Sequence, residues 1–220
     1  MAAHGGTISI ETNELARTLM SGPIGGVVGG AFLAQQMDLR NVLCTDIGGT
    51  SFDIALITAN RFDTSPKPDV AKFLLNIPQV SIDTVGAGTG SYVRIDPTSN
   101  RPEVGPDSAG AMIGTSWPEG GIETVTVTDL NLILGRLNPD YFLGGQVQLD
   151  TERARSEVKQ QIADPLGLGP ELAASGIIEL FETGLRNDAV GRILGKGYAP
   201  ADYTLLCYGG GGPLHVAGYT

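Results

Sequence analysis

The stretch Thr45-Asp46-Ile47-Gly48-Gly49-Thr50-Ser51-Phe52-Asp53 decides how the rest of the sequence is read. It sits between the apolar runs NVLCTDI (41–47) and SFDIALIT (51–58), which predict two short strands joined by a glycine bend, a hairpin with its polar residues at the tip. Gly48 and Gly49 let main-chain N–H groups point into a concavity that accepts phosphate oxygens, and Thr50 and Ser51 add hydroxyls. The carboxylates of Asp46 and Asp53 flank the bend, where they can hold Mg²⁺ through its waters and orient an attacking group. A hairpin whose Asp and Thr side chains satisfy turn hydrogen bonds is the plain alternative, and the stretch alone leaves both readings open.

A second glycine cluster lies near the end of the chain, at Tyr208-Gly209-Gly210-Gly211-Gly212-Pro213-Leu214-His215. DYTLLCY (202–208) reads as a buried strand and PLHVAGYT as the first turns of a helix with Pro213 at its start. Four glycines remove every side chain over a short surface, so a flat base or ribose can lie on the backbone beside a helix N-terminus. Packing alone can also explain such a turn. The two clusters together point to a nucleotide more strongly than either does by itself.

Between them the pattern is α/β. SGPIGGVVGGAFLAQQMD predicts a buried helix from a capping Ser21 to about Met37, with small residues that let another backbone approach. Residues 61–76 read as a loop or edge region, 79–86 and 91–96 as strands joined by GAGTG, and 97–121 as a long Pro/Gly-rich connection. GAGTGS itself fits a phosphate contact, a substrate channel or a simple turn. Thr128 offers an N-cap for TDLNLILGRL, and 151–163 and 170–194 carry helical periodicity, the latter as the longest helix. His215 is expected to be a packed or hydrogen-bonded histidine, and Trp117 a loop anchor.

Composition narrows the function classes. The 220 residues hold 32 glycines, 14 Lys and Arg against 24 Asp and Glu, and a net charge of −10, which repels a phosphate backbone at long range and argues against nucleic-acid binding. One bound nucleotide remains compatible with that charge, because amides and a divalent metal can hold a triphosphate. Cys44 and Cys207 have no CxxC partner and read as buried free thiols, which suits a reducing cytoplasm. No apolar run reaches the roughly 18 residues a membrane span requires, so a cytoplasmic protein without a membrane partner is expected.

DIGGTSFD resembles the second phosphate-binding hairpin of the actin/hexokinase/Hsp70 (ribonuclease H-like) superfamily, and GGGGPLH resembles its adenosine turn. SGPIGGVVGG, TDIGGTSFD, VGAGTGSYVRID, VGPDSAGA, TVTDLNLILGRLNPDYFLGG and YGGGGPLH follow, in order, the pattern of the hydantoinase A domain of the hydantoinase/oxoprolinase family. SWPEGG, LLNIPQV and GGGG in place of GGAG are similar to the family's ATP-dependent members that carboxylate acetone or acetophenone. The resemblance implies residues 1–220 as one such domain, partial because the family's first phosphate hairpin is not among them. It implies ATP and Mg²⁺ as cofactors, with Asp46 orienting the nucleophile or a metal water, Asp46 and Asp53 near the metal, and Gly48, Gly49, Thr50, Ser51 and Gly209, Gly210, Gly211, Gly212 on the nucleotide. Implied partners are a ketone and bicarbonate, or a cyclic amide if the chain is a hydantoinase or 5-oxoprolinase instead, together with other subunits or a missing lobe. A non-catalytic scaffold subunit is the reading from outside the enzyme classes.

Overall fold

The computed structural model describes residues 1–9, 11–66 and 76–220, and the backbone of 69–70 and 73–74. Its elements begin with α1 (Ser21–Gln36), β1 (Val42–Ile47), β2 (Phe52–Thr58), β3 (Arg61–Phe62), β4 (Thr64–Ser65), β5 (Asp69–Val70), β6 (Phe73–Leu74), β7 (Gln79–Val80) and β8 (Asp83–Val85). They continue with β9 (Ser91–Ile95), β10 (Pro102–Ser108), α2 (Val127–Ile133), α3 (Thr151–Val158), α4 (Asp164–Leu166), α5 (Pro170–Gly195), β11 (Thr204–Tyr208) and α6 (Gly212–Tyr219). Two units share these elements: one built from segments 1–46, 53–84 and 189–208, the other from 47–52, 85–188 and 209–220.

A mixed sheet in the order β11-β1-β2-β3, with β8 also on β2, organises the first unit. β1 and β2 form the expected hairpin. β11 runs parallel to β1 in a register that places Tyr208 opposite Asp46. Nearly every residue of β1 and β2 is buried, which is why both read as continuous apolar runs instead of alternating ones. Helix α1 supplies Ile24, Val27 and Ala34 to a core with Val42, Cys44, Ala55, Ile57 and Val80. Burying each of the larger side chains contributes on the order of 1.5–3 kcal/mol. The small residues of α1 make room for side chains, not for another backbone as expected: a Cβ on Gly26 would lie 2.4 Å from the Tyr208 ring, and one on Gly30 2.8 Å from the Cys44 sulfur. Ser21 does not cap the helix. That position belongs to Met20, whose φ of 58° turns the chain into the first turn.

In the second unit β9 and β10 pair antiparallel, with a register shift between Val104 and Ser108. The connection read as structureless over 97–121 therefore contains a strand, disguised by Pro102, Gly105 and Pro106, which fit only an edge or a bulge. The segments around GAGTG are not hairpin partners: β8 pairs with β2 and β7 with β4. Helix α2 is buried over its whole length and packs on α3 and β9. Its cap is Thr126, not Thr128. The Thr126 side chain accepts from the Asp129 amide while the Asp129 carboxylate accepts from the Thr126 amide at 2.9 Å, a reciprocal capping box. The expected helix 151–163 continues through a π turn (159–163) into α4 before Gly167, at φ +68°, ends it. The edge segment 61–76 falls partly outside the described residues; within them it carries the short strands β3 to β6.

Candidate functional site

A cavity of about 460 Å³ in the second unit is lined by two kinds of surface, and its size suits a cofactor or small ligand. Gly48, Gly49, Gly90, Gly110, Gly210 and Gly211 present bare main chain; Ile113, Leu137, Phe142, Leu143 and Leu214 present apolar side chains; Thr89 and Thr128 add hydroxyls. Hydrogen bonds sew three glycine-rich segments together. The Thr89 amide donates to the Gly48 carbonyl at 3.0 Å, Gly90 to Gly49 at 2.7 Å and Gly211 to Ile47 at 2.8 Å. Thr128 then donates both its amide (2.7 Å) and its hydroxyl (2.9 Å) to the Thr89 carbonyl, so the start of α2 props the middle segment from behind.

No side chain fits at these crossings. A Cβ on Gly88 would stand 2.5 Å from the Gly49 carbonyl carbon, one on Gly90 2.7 Å from the Gly49 oxygen, and one on Gly211 2.5 Å from the Thr89 methyl. At Gly88 and Gly90 glycine is required because main chain packs on main chain, and at Gly211 because the methyls of Thr89 and Ile47 close the space. The bend itself closes through Gly48 N–H to Ser51 O at 3.0 Å, with Gly49 and Thr50 exposed at its tip. Successive backbone N–H groups on an exposed glycine bend can meet an anionic ligand.

The first unit holds the two carboxylates. Asp46, half-buried on β1, and Asp53, buried on β2, face a narrow recess with Tyr208, Pro23 and Val27. Thr84 donates its hydroxyl to Asp53 Oδ1 at 2.5 Å. Burial raises the Asp46 pKa above the ordinary carboxylate value, and the negative charge of Asp53 raises it further. Burial likewise pushes the Cys44 thiol up to about 11, partly offset by its hydrogen bond to Tyr208, so it stays protonated and inert, in line with a free buried cysteine. Among the described residues no group of three or more His, Cys, Asp or Glu could hold a metal; Asp46 and Asp53 stand as a pair.

Of the residues singled out in the sequence, Gly48, Gly49, Gly210 and Gly211 line the cavity. Thr50 stands at the exposed bend and Ser51 beside it is half-buried and engaged; Gly209, at φ +83°, makes the turn out of β11, and Gly212 begins α6. The GAGTGS segment, weighed as a phosphate contact, a substrate channel or a turn, brings Thr89 and Gly90 to the cavity. Sequence reasoning missed Thr128 and the loop carrying Leu137, Phe142 and Leu143, which has no signal beyond its apolar residues. Trp117 is half-buried with its ring against Gly120, as a loop anchor would be.

The hydantoinase/oxoprolinase family model matches residues 1–220. The acetone carboxylase beta subunit of Xanthobacter autotrophicus is 53% identical over 220 residues, which is 100% of this chain and 31% of that protein. A solved nucleotide-free structure from ATP-dependent acetone carboxylase superposes with a TM-score of 0.94 at 52% identity, covering 100% of this chain and 31% of its own. The ATP-dependent caprolactamase of Pseudomonas jessenii superposes with a TM-score of 0.85 at 34% identity, covering 99% and 32%. The chain thus spans about 31% of the length of the relative most similar among these.

Proposed function

The chain belongs to the hydantoinase/oxoprolinase family, and we propose that it forms the ATP-binding part of a ketone carboxylase acting with further polypeptide. The observation that carries this reading is the joining of the DIGGTS bend, the GAGTG segment and the GGGG turn around one cavity walled by bare main chain. In this reading the amides of the Gly48–Gly49–Thr50 bend donate to phosphate oxygens, Gly210 and Gly211 lie under the ribose, and the apolar residues of the 137–143 loop cover the base. The fold is then that of the actin, hexokinase and Hsp70 class.

Mg²⁺ suits a carboxylate pair, because it keeps several waters and is commonly held by one or two carboxylates with substrate phosphates completing its shell. Asp46 and Asp53 would hold it, and it would supply charge neutralisation for the triphosphate. Asp46 orients the attacking oxygen. The γ-phosphoryl passes to an oxygen of bicarbonate or of the enolised ketone as the bond to ADP breaks, and the phosphorylated species is activated for carbon–carbon bond formation. Positioning and electrostatics account for such a step.

The likeness to caprolactamase supports a second reading, ATP-dependent opening of a cyclic amide through a phosphorylated amide oxygen. One assay separates the two. The full-length protein with its partner subunits, given Mg-ATP, should release ADP in the presence of acetone or acetophenone plus bicarbonate and incorporate labelled bicarbonate into acid-stable product. ADP release that depends on a lactam or hydantoin and ignores bicarbonate would replace the first reading by the second, and no nucleotide turnover with either would leave the scaffold role.

A further inference from the structure

One buried polar group in the second unit has no part in the chemistry above. His215, one turn into α6, is fully buried, with the Phe181 ring edge-on at 5.1 Å. Its Nδ1 lies 3.0 Å from Glu182 Oε1 on α5, and its Nε2 lies 3.2 Å from Asn131 Nδ2 on α2. Asn131 Nδ2 is also 3.0 Å from the Val127 carbonyl, which only a donor can satisfy. Asn131 therefore donates, His215 Nε2 accepts, and the ring is neutral with its proton on Nδ1 toward Glu182. Burial lowers the His215 pKa, opposed by Glu182 and aided by Arg136, in keeping with a neutral ring. Glu182 Oε1 also accepts from Arg136 Nη1 at 2.9 Å.

These partners sit immediately beside the cavity's walls in sequence. Arg136 precedes Leu137, the first residue of the loop that brings Phe142 and Leu143, and Leu214 precedes His215 and follows the glycine turn. Glu182 holds Arg136 and His215 with the same oxygen. From this we infer that His215 is a positioning residue for the base end of the cavity: through Glu182 and Asn131 it fixes the turn 210–214 against the loop 137–143. It contacts neither Gly48 nor Gly49, so its loss should weigh more on the base end of the ligand than on the phosphate end.

This inference rests on the nucleotide reading, and its test keeps the two apart. In the full-length protein with its subunits, His215→Phe keeps the ring against Phe181 and loses both hydrogen bonds. KM for ATP should rise about tenfold while kcat stays within about threefold, and inhibition by tripolyphosphate, which has no base, should be unchanged. His215→Gln, which retains a donor and an acceptor, should recover most of the ATP affinity. Should His215→Phe not accumulate as folded protein, Glu182→Gln is measured in the same way, with KM for ATP expected to rise about threefold. An unchanged KM for ATP overturns the inference, as does a parallel loss of ATP and tripolyphosphate binding, which would make His215 a general support of the fold. If the wild type binds neither compound, the nucleotide reading itself fails and the inference falls with it.

Discussion

Helix α1 and the cavity wall are both rich in glycine, yet the residue meets a different neighbour in each. On α1 a Cβ at Gly26 or Gly30 would strike the tips of side chains, the Tyr208 ring and the Cys44 sulfur. At Gly88, Gly90 and Gly211 it would strike main chain or the rigid methyls of Thr89 and Ile47. Side chains can give way by a rotamer; a hydrogen-bonded backbone crossing cannot. Glycine in the first unit is thus a matter of core packing, and glycine in the second is a matter of the site's shape.

Gly88→Ala should give the largest effect, because the added carbon lies 2.5 Å from the Gly49 carbonyl carbon and pushes the DIGGTS bend out of place. ATP-dependent turnover of the full-length protein should fall at least roughly a hundredfold, with a lowered Tm as well. A variant with near-normal turnover would show that the crossing is not part of the site.

Asp46→Asn should cost roughly a hundredfold in kcat with a smaller change in nucleotide affinity. Its stability should move the other way. The folded-state pKa of Asp46 is raised by burial and by Asp53, so ionised Asp46 burdens the native state above that pKa and the burden disappears as pH falls through it. Thermal melts should therefore show the Asn variant equal to or above wild type at pH 7, with the gap closing toward the ordinary aspartate value of 3.8. A lower Tm at pH 7 would assign the charge a structural role instead.

Gly26→Ala should destabilise by about 1–2 kcal/mol, overpacking against Tyr208 being partly offset by better helix propensity, while turnover per folded molecule stays near wild type. Chemical denaturation reads the first and active-site titration the second. Least disruptive are Gly210→Ala and Gly29→Ala, since a Cβ at either position meets no protein atom within 4 Å. Gly29, inside a helix, should gain roughly 0.5–1 kcal/mol of stability and change no kinetic constant. Gly210 lines the cavity, so its methyl should leave Tm unchanged and raise KM for ATP about fivefold. Identical behaviour of the two would erase the distinction drawn between the glycine sets.

The sequence carried the elements that bracket the site but not the way they close on it. The hairpin, the strand β11 and the long α5 were legible because each is an apolar run or a periodic stretch ended by turn residues, although β11 is only partly buried, Cys207 included, where a buried strand and thiol were expected. β10 was hidden by two prolines and a glycine, and the cap of α2 was misplaced by two residues because Thr126 and Thr128 both precede an acidic residue. Half of the eight nucleotide-facing residues expected, Gly48, Gly49, Gly210 and Gly211, line the cavity. The GAGTGS segment was legible as a candidate contact, whereas Thr128 and the 137–143 loop were not, since they reach the site through non-local pairings that leave no pattern in the sequence.

The most direct test of the central claim, that the glycine-walled cavity holds a nucleotide, is a thermal-melt titration of the full-length protein with Mg-ATP. A ligand bound only by the folded state stabilises it by about 2.7 kcal/mol at a hundred times its Kd. A saturable rise in Tm is expected, which Gly210→Ala shifts to about fivefold higher ATP and Gly29→Ala leaves in place. A Tm that does not respond to Mg-ATP, or a titration that Gly210→Ala leaves unmoved, would contradict it.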